Sequence, residues 1–141
     1  GWVIGGLGAV IDATISNNFV LHNTLWVPAH FHTYNAMGNV LFSLGFFHWF
    51  AHKFDVGFYI DKNAMLKLTL ILFGGIGFLL AFYIGGADSI PRRYSNYPPE
   101  FTMAAPLATV AAVFATFYLL AILLFFLNIT KKCIKIMSST S

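Results

Sequence analysis

The sequence predicts an all-α integral membrane helical bundle: three full transmembrane helices plus the end of a fourth. Composition is the first ground. Of 141 residues, 58% are hydrophobic and 9% charged, with a mean hydropathy of +0.74. A soluble domain carries roughly 25% charged residues, and a soluble chain this short could not hide so much apolar surface. The second ground is segmentation. Long apolar runs alternate with short polar or Pro-rich stretches, and a bilayer span needs about 20 apolar residues. The third is charge. The net charge of +3 is too small and too dispersed to argue for a nucleic-acid partner, and the partner that the 9% charged composition leaves is the lipid bilayer. Cys133 is the single cysteine, so no internal disulfide can form.

Residues 1–16 read as the last part of a helix. Their apolar run, about 14 residues, is shorter than a span, and Gly5, Gly6 and Gly8 would let a neighbour approach closely. Asp12 interrupts the run, either as a polar contact near the membrane surface or as a helix-end residue facing water. Ser16, Asn17 and Asn18 read as a turn. The second helix covers 24–51. Thr24 suits its N-cap, and Pro28 falls in the first turn, where a missing N–H costs little. His48 and His52 lie at i, i+4 near its far end, but Trp49 and Lys53 beside them point to the headgroup interface rather than to a metal. A polar connection with Asp55, Asp61 and Lys62 follows.

The third helix covers 64–86. Its Gly74-Gly75-x-Gly77 cluster is a packing surface and not a phosphate loop, since no strand precedes it. A loop rich in Pro and Tyr leads to the fourth helix, 103–129, with Pro106 in its first turn, and then to a polar, frayed tail, 130–141. The opening at Gly1, with no basic n-region or cleavage site, shows no signal peptide and reads as part of a larger unit. Lys53, Lys62 and Lys67 fall on the same side as Lys131, Lys132 and Lys135. The positive-inside rule puts these lysines inside, and His22, His30, Arg92 and Arg93 toward the outer side.

Three of the five histidines, His22, His30 and His32, lie in one stretch of eleven residues. An α-helix turns about 100° per residue, so His30 and His32 point some 200° apart. They cannot share one metal and serve two partners. Histidines in an apolar helix are costly and mark functional sites, although satisfied packing histidines are the alternative. The natural occupant of an apolar, two-sided site is a pair of haems, each taking one axial imidazole. Arg92 and Arg93 are on the same side, and a guanidinium fork suits a haem propionate; a headgroup anchor is the competing role.

The run HNTLWVPAHFHTYNAMG, residues 22–38, resembles the helix-X signature of subunit I of the haem-copper oxidases, such as cytochrome c oxidase. The run IPRRYSNYP, residues 90–98, is similar to that family's loop between helices XI and XII, and FFHWF, residues 46–50, to the end of helix X. Order and spacing match as well. The resemblance covers almost the whole chain but only the last third of a complete subunit I, a twelve-helix fold, with 1–16 matching the end of helix IX.

The resemblance implies that His30 is the axial ligand of the high-spin haem and His32 an axial ligand of the low-spin haem. It places Phe31 between the two haems, and Arg92 and Arg93 on the haem propionates. His22 and Asn23 match the family's magnesium ligands, but the family usually has Asp at the second position, and a neutral carbonyl binds a hard cation more weakly than a carboxylate. The family's Asp is likewise replaced at Asn96. Two haems, of the haem A type, are implied, with copper B held by other helices. The copper histidines, the second low-spin ligand and the proton channels belong to sequence absent from this chain. Implied partners are the N-terminal part of subunit I, subunit II and other oxidase subunits, with cytochrome c or quinol as electron donor. The implied membrane is the mitochondrial inner membrane or a prokaryotic plasma membrane. The whole would reduce dioxygen to water and pump protons, and this chain alone would not catalyse. Rival readings are a quinol oxidase or nitric oxide reductase of the same superfamily, a stand-alone haem electron carrier, and a structural membrane subunit.

Overall fold

The computed structural model describes residues 1–54 and 62–139, and the connection around Asp55 and Asp61 lies outside them. The described residues are almost entirely helical and contain no strand, in agreement with the all-α membrane fold. The helices are α1 (Trp2–Ala13), α2 (Ile15–Leu21), α3 (Trp26–His32), α4 (Val40–Phe54), α5 (Lys62–Ala87) and α6 (Ala104–Ser139), with a π-helical segment, Thr33–Asn39, joining α3 to α4. By length and apolarity, α5 and the Ala104–Lys132 part of α6 can each cross a membrane, and α1 and α2 qualify only as one bent span.

The first bend falls earlier than the sequence suggests. Ser16, Asn17 and Asn18 are helical residues of α2. The break is at Thr14, whose backbone is extended (φ −73°, ψ 131°) and whose carbonyl accepts the Asn18 N–H at 2.8 Å. The chain turns by 97° there. Short polar residues are as much at home in a helix's first turn as in a loop, so the polar triplet marks the neighbourhood of the bend and not its position.

The second helix is not one regular α-helix. The N-cap of α3 is Leu25 and not Thr24, and it makes no side-chain cap bond; Thr24 stands one residue earlier, where its Oγ1 accepts the Trp26 N–H at 3.2 Å. Seven residues later the ladder widens, and the Val40 N–H reaches back to the Asn35 carbonyl, an i→i−5 bond. Thr33 Oγ1 donates to Ala29 O at 2.8 Å and Asn35 Nδ2 to Phe31 O at 3.1 Å, so both engage carbonyls one turn back. The same kind of bond, from Thr109, Thr116 and Thr130, leaves α6 regular, so the bonds of Thr33 and Asn35 accompany the widened turn and do not by themselves account for it.

Helices α5 and α6 form an antiparallel pair. Gly74 and Gly77 open the face of α5 to Phe114 and Tyr118 of α6; a Cβ at Gly74 would stand 2.7 Å from the Tyr118 N. Small residues let backbones approach in lipid, where packing contacts replace the hydrophobic effect as the driving force. Tyr118 also donates its hydroxyl to the Ala36 carbonyl, tying α6 to the π segment. One apolar cluster gathers Ala81, Ile90, Ala104, Leu107 and Ala111, and another gathers Leu44, Ile71 and Ala121. Beyond residue 129 the tail continues α6 to Ser139 instead of fraying. It holds neither Gly nor Pro, so nothing local stops the helix.

Candidate functional site

The site is built around the two turns of α3. Its entry is pinned to the loop of residues 88–103. Leu25 N–H donates to Ile90 O at 2.9 Å, and Arg92 N–H to Asn23 O at 2.8 Å, with Thr24 and Pro91 paired as an isolated antiparallel bridge. The arginine loop and the histidine helix are therefore one unit. Gly86 permits it, because a Cβ there would run into the Trp26 backbone.

His30 and His32 face different helices. His32 points toward α5, where Phe78 and Phe82 meet its ring edge-on at 5.7 and 6.3 Å. His32 Nδ1 lies 2.6 Å from the Pro28 carbonyl. A carbonyl can only accept, so Nδ1 carries the proton, and in the neutral ring Nε2 is then the nitrogen with the lone pair. That tautomer is the one a metal-ligating imidazole requires. His30 faces α1, with Nδ1 3.3 Å from Asp12 Oδ2. The distance is within ion-pair reach, but the angle does not form a hydrogen bond, and His30 Nδ1 and Asp12 Oδ1 are both buried without a partner. Phe31 projects between these directions, half exposed, its ring edge-on to His32 at 5.6 Å and to Tyr34 at 5.5 Å.

Two buried donors wait at the same end of the unit. Arg92 Nε and Trp26 Nε1 are both shielded from solvent and without an acceptor. A buried unpaired N–H is costly, and an anionic ligand group would relieve it. Arg93 is exposed, with φ 71°, a backbone conformation that non-glycine residues seldom adopt. His22 and Asn23 are exposed and border an open cavity of about 620 Å³ together with Asn18, Ser89 and Pro91. Among the described residues, no three His, Cys, Asp or Glu side chains converge on a metal-sized site. At the other end of α4, Lys53 Nζ lies 5.4 Å over the Trp49 ring.

Sequence reasoning did not connect Asp12 to His30, nor find Tyr83, whose hydroxyl is 3.0 Å from Thr33 Oγ1 and whose ring meets Trp26 edge-on. The spacing of Gly5, Gly8 and Asp12 was the available signal, since i, i+3 and i+7 share one helix face.

A family model for cytochrome c and quinol oxidase polypeptide I matches residues 1–131. The chain belongs to that family. Among relatives of this oxidase family, cytochrome c oxidase polypeptide 1 of Halobacterium salinarum is 35% identical over 113 residues, 79% of this chain and 19% of that protein. Cytochrome c oxidase subunit 1 of Thermus thermophilus is 29% identical over 131 residues, covering 90% of this chain and 23% of the relative. That of Albinaria turrita is 30% identical over 129 residues, 89% and 63% respectively. The chain thus spans about a fifth of the length of the first two relatives. Membership in this oxidase family and the apolar helices make the chain a multi-pass membrane protein.

Proposed function

We propose that this chain supplies one axial imidazole to each of two haems in the catalytic subunit of a terminal respiratory oxidase. The observation that carries the reading is the orientation of α3: His32 is locked by Pro28 with Nε2 free, while His30 is turned toward the opposite helix. His32 Nε2 would hold the low-spin haem, its ring steadied by Phe78 and Phe82 of α5. His30 Nε2 would hold the high-spin haem. Phe31, half exposed beside them, would lie between the two haems. Arg92, with its unmatched Nε, and Arg93 would hold the propionates, the buried donors being the feature that fits an anion. Bound there, and with copper B on the other helices, the haems would supply the electron path and the centre for reducing dioxygen to water. The N-terminal part of subunit I, subunit II, and cytochrome c or quinol as donor complete the enzyme, which couples electron transfer to proton pumping in the mitochondrial inner membrane or a prokaryotic plasma membrane. Magnesium at His22 and Asn23 would need a carboxylate from a partner.

The test is a pair of variants in the assembled complex. His32→Ala removes the low-spin haem spectrum, and His30→Ala removes carbon monoxide binding at the high-spin site. Either variant retaining both components at full intensity overturns the assignment. A preparation with haem but no carbon monoxide-binding centre would favour an electron carrier, and one lacking haem would favour a structural subunit.

A further inference from the structure

We propose that Asp12 is the positioning residue for the His30 ligand, its carboxylate accepting a hydrogen bond from His30 Nδ1–H. The inference rests on the reading of His30 as a haem ligand and adds what sets that ligand's donor strength. Gly5, Gly8 and Asp12 lie along one face of α1, and that face is applied to α3 and the π segment. A Cβ on Gly5 would stand 3.0 Å from Tyr34 Cβ, and one on Gly8 would stand 3.0 Å from His30 Cβ and 3.3 Å from the Tyr83 hydroxyl. The two glycines thus bring α1 close enough for the next residue on the stripe to reach the imidazole. That residue is an aspartate, 15% exposed, with Oδ2 3.3 Å from the Nδ1 of a histidine that is 14% exposed.

Both groups are costly to bury alone. Asp12 Oδ1 and His30 Nδ1 lack any other partner, so the pair is unfinished rather than engaged elsewhere. Hydrogen bonds of this kind are often misaligned in a free site and tighten when it fills. A ligand on Nε2 fixes the ring plane and turns Nδ1–H onto the carboxylate. A carboxylate behind a ligating histidine sets its tautomer and raises its basicity. A more basic imidazole favours the oxidised iron.

The experiment compares Asp12→Asn, Asp12→Glu and Gly8→Ala in the assembled oxidase. In the reduced protein, the iron–imidazole stretching band of the high-spin haem is read by resonance Raman, and its midpoint potential by spectroelectrochemistry. Asp12→Asn shifts the band to lower frequency and the midpoint to more positive values, with the haem retained. Asp12→Glu restores both toward the parent. Gly8→Ala keeps the carboxylate but forces α1 away, and shifts the band in the Asn direction. An Asp12→Asn protein with full high-spin haem and an unmoved band and midpoint overturns the proposal. His30→Ala is the control for the underlying reading: if the high-spin band survives it, His30 is not the ligand and the ligand reading itself fails.

Discussion

His32 and Arg92 are incomplete in complementary ways. One has its proton committed to Pro28 and a lone pair to offer; the other has a buried N–H with nothing to receive it. If the Arg92 guanidinium faces a propionate, its charge raises the potential of the haem beside it, because nearby positive charge disfavours the oxidised, more positive iron. Arg92→Gln should therefore lower the low-spin midpoint by tens of millivolts; a tenfold change in the equilibrium is about 59 mV for one electron. Arg92→Lys should lower it less, keeping the charge but losing the fork, and Arg93→Gln less as well, because Arg93 is exposed to solvent screening. An unchanged midpoint in both Gln variants of an assembled complex would make the arginines headgroup anchors. The histidine pair and the arginine pair were legible in the sequence because their signals are local: an i, i+2 spacing and a doublet in a Pro-rich loop. Asp12 was not, because its partner lies on a different helix and only the folded chain brings them within 3.3 Å.

At the scale of elements, the histidine helix is held by its neighbours more than by its own length. With seven residues, α3 is too short to be stable alone. Its seat on α5 is tight at Gly86, where an added Cβ meets Trp26 backbone, and looser at Gly85, where it meets the Leu25 Cδ1 at 2.9 Å. Gly86→Ala should cost roughly 1–3 kcal/mol by overpacking, seen as a lower temperature for loss of the haem spectrum in detergent. Gly85→Ala should cost less, since a side-chain tip can move. Equal melting of parent and Gly86→Ala would mean that α3 does not seat this way. The spans in α5 and α6 were readable from apolar length alone. The π segment was not: it is a local change of hydrogen-bond register, Val40 N–H to the Asn35 carbonyl, which hydrophobic periodicity does not reveal. The bend was displaced for a related reason, since the decisive feature is the extended backbone of Thr14 and not the polarity of the residues after it.

For the molecule as a whole, the exposed apolar surface is the dominant fact. Phe19 is 91% exposed, Ile15 89% and Phe42 78%, while α1 turns Val3, Leu7 and Val10 outward from its glycine face. Contiguous apolar surface of this kind calls for lipid or further helices. Expressed alone, these 141 residues should aggregate or be degraded, whereas co-expression with the remainder of an oxidase subunit I should recover them in a haem-containing complex. A stable, monodisperse, haem-free preparation in detergent would count against this. The antiparallel α5–α6 pair also separates charge: Lys62 and Lys67 begin α5, Lys131 and Lys132 lie far along α6, and Arg92 and Arg93 sit in the loop joining the opposite ends.

The widened turn at Thr33–Asn39 has a bearing on how this sequence can change. A helix is a screw, and the residue count between two points on it sets their relative angle. One residue added or removed between His32 and Val40 would swing the histidine turn by about 100° relative to α4, unless the ladder absorbs it. A π segment is such an absorber: the extra residue is taken up in a slack loop of backbone, so the upstream and downstream faces keep independent headings. Tyr118, bonded to Ala36 within that slack, acts as its detent. The histidine turn can therefore keep the heading fixed for it by the arginine loop, while α4 follows the packing demands of α5 and α6.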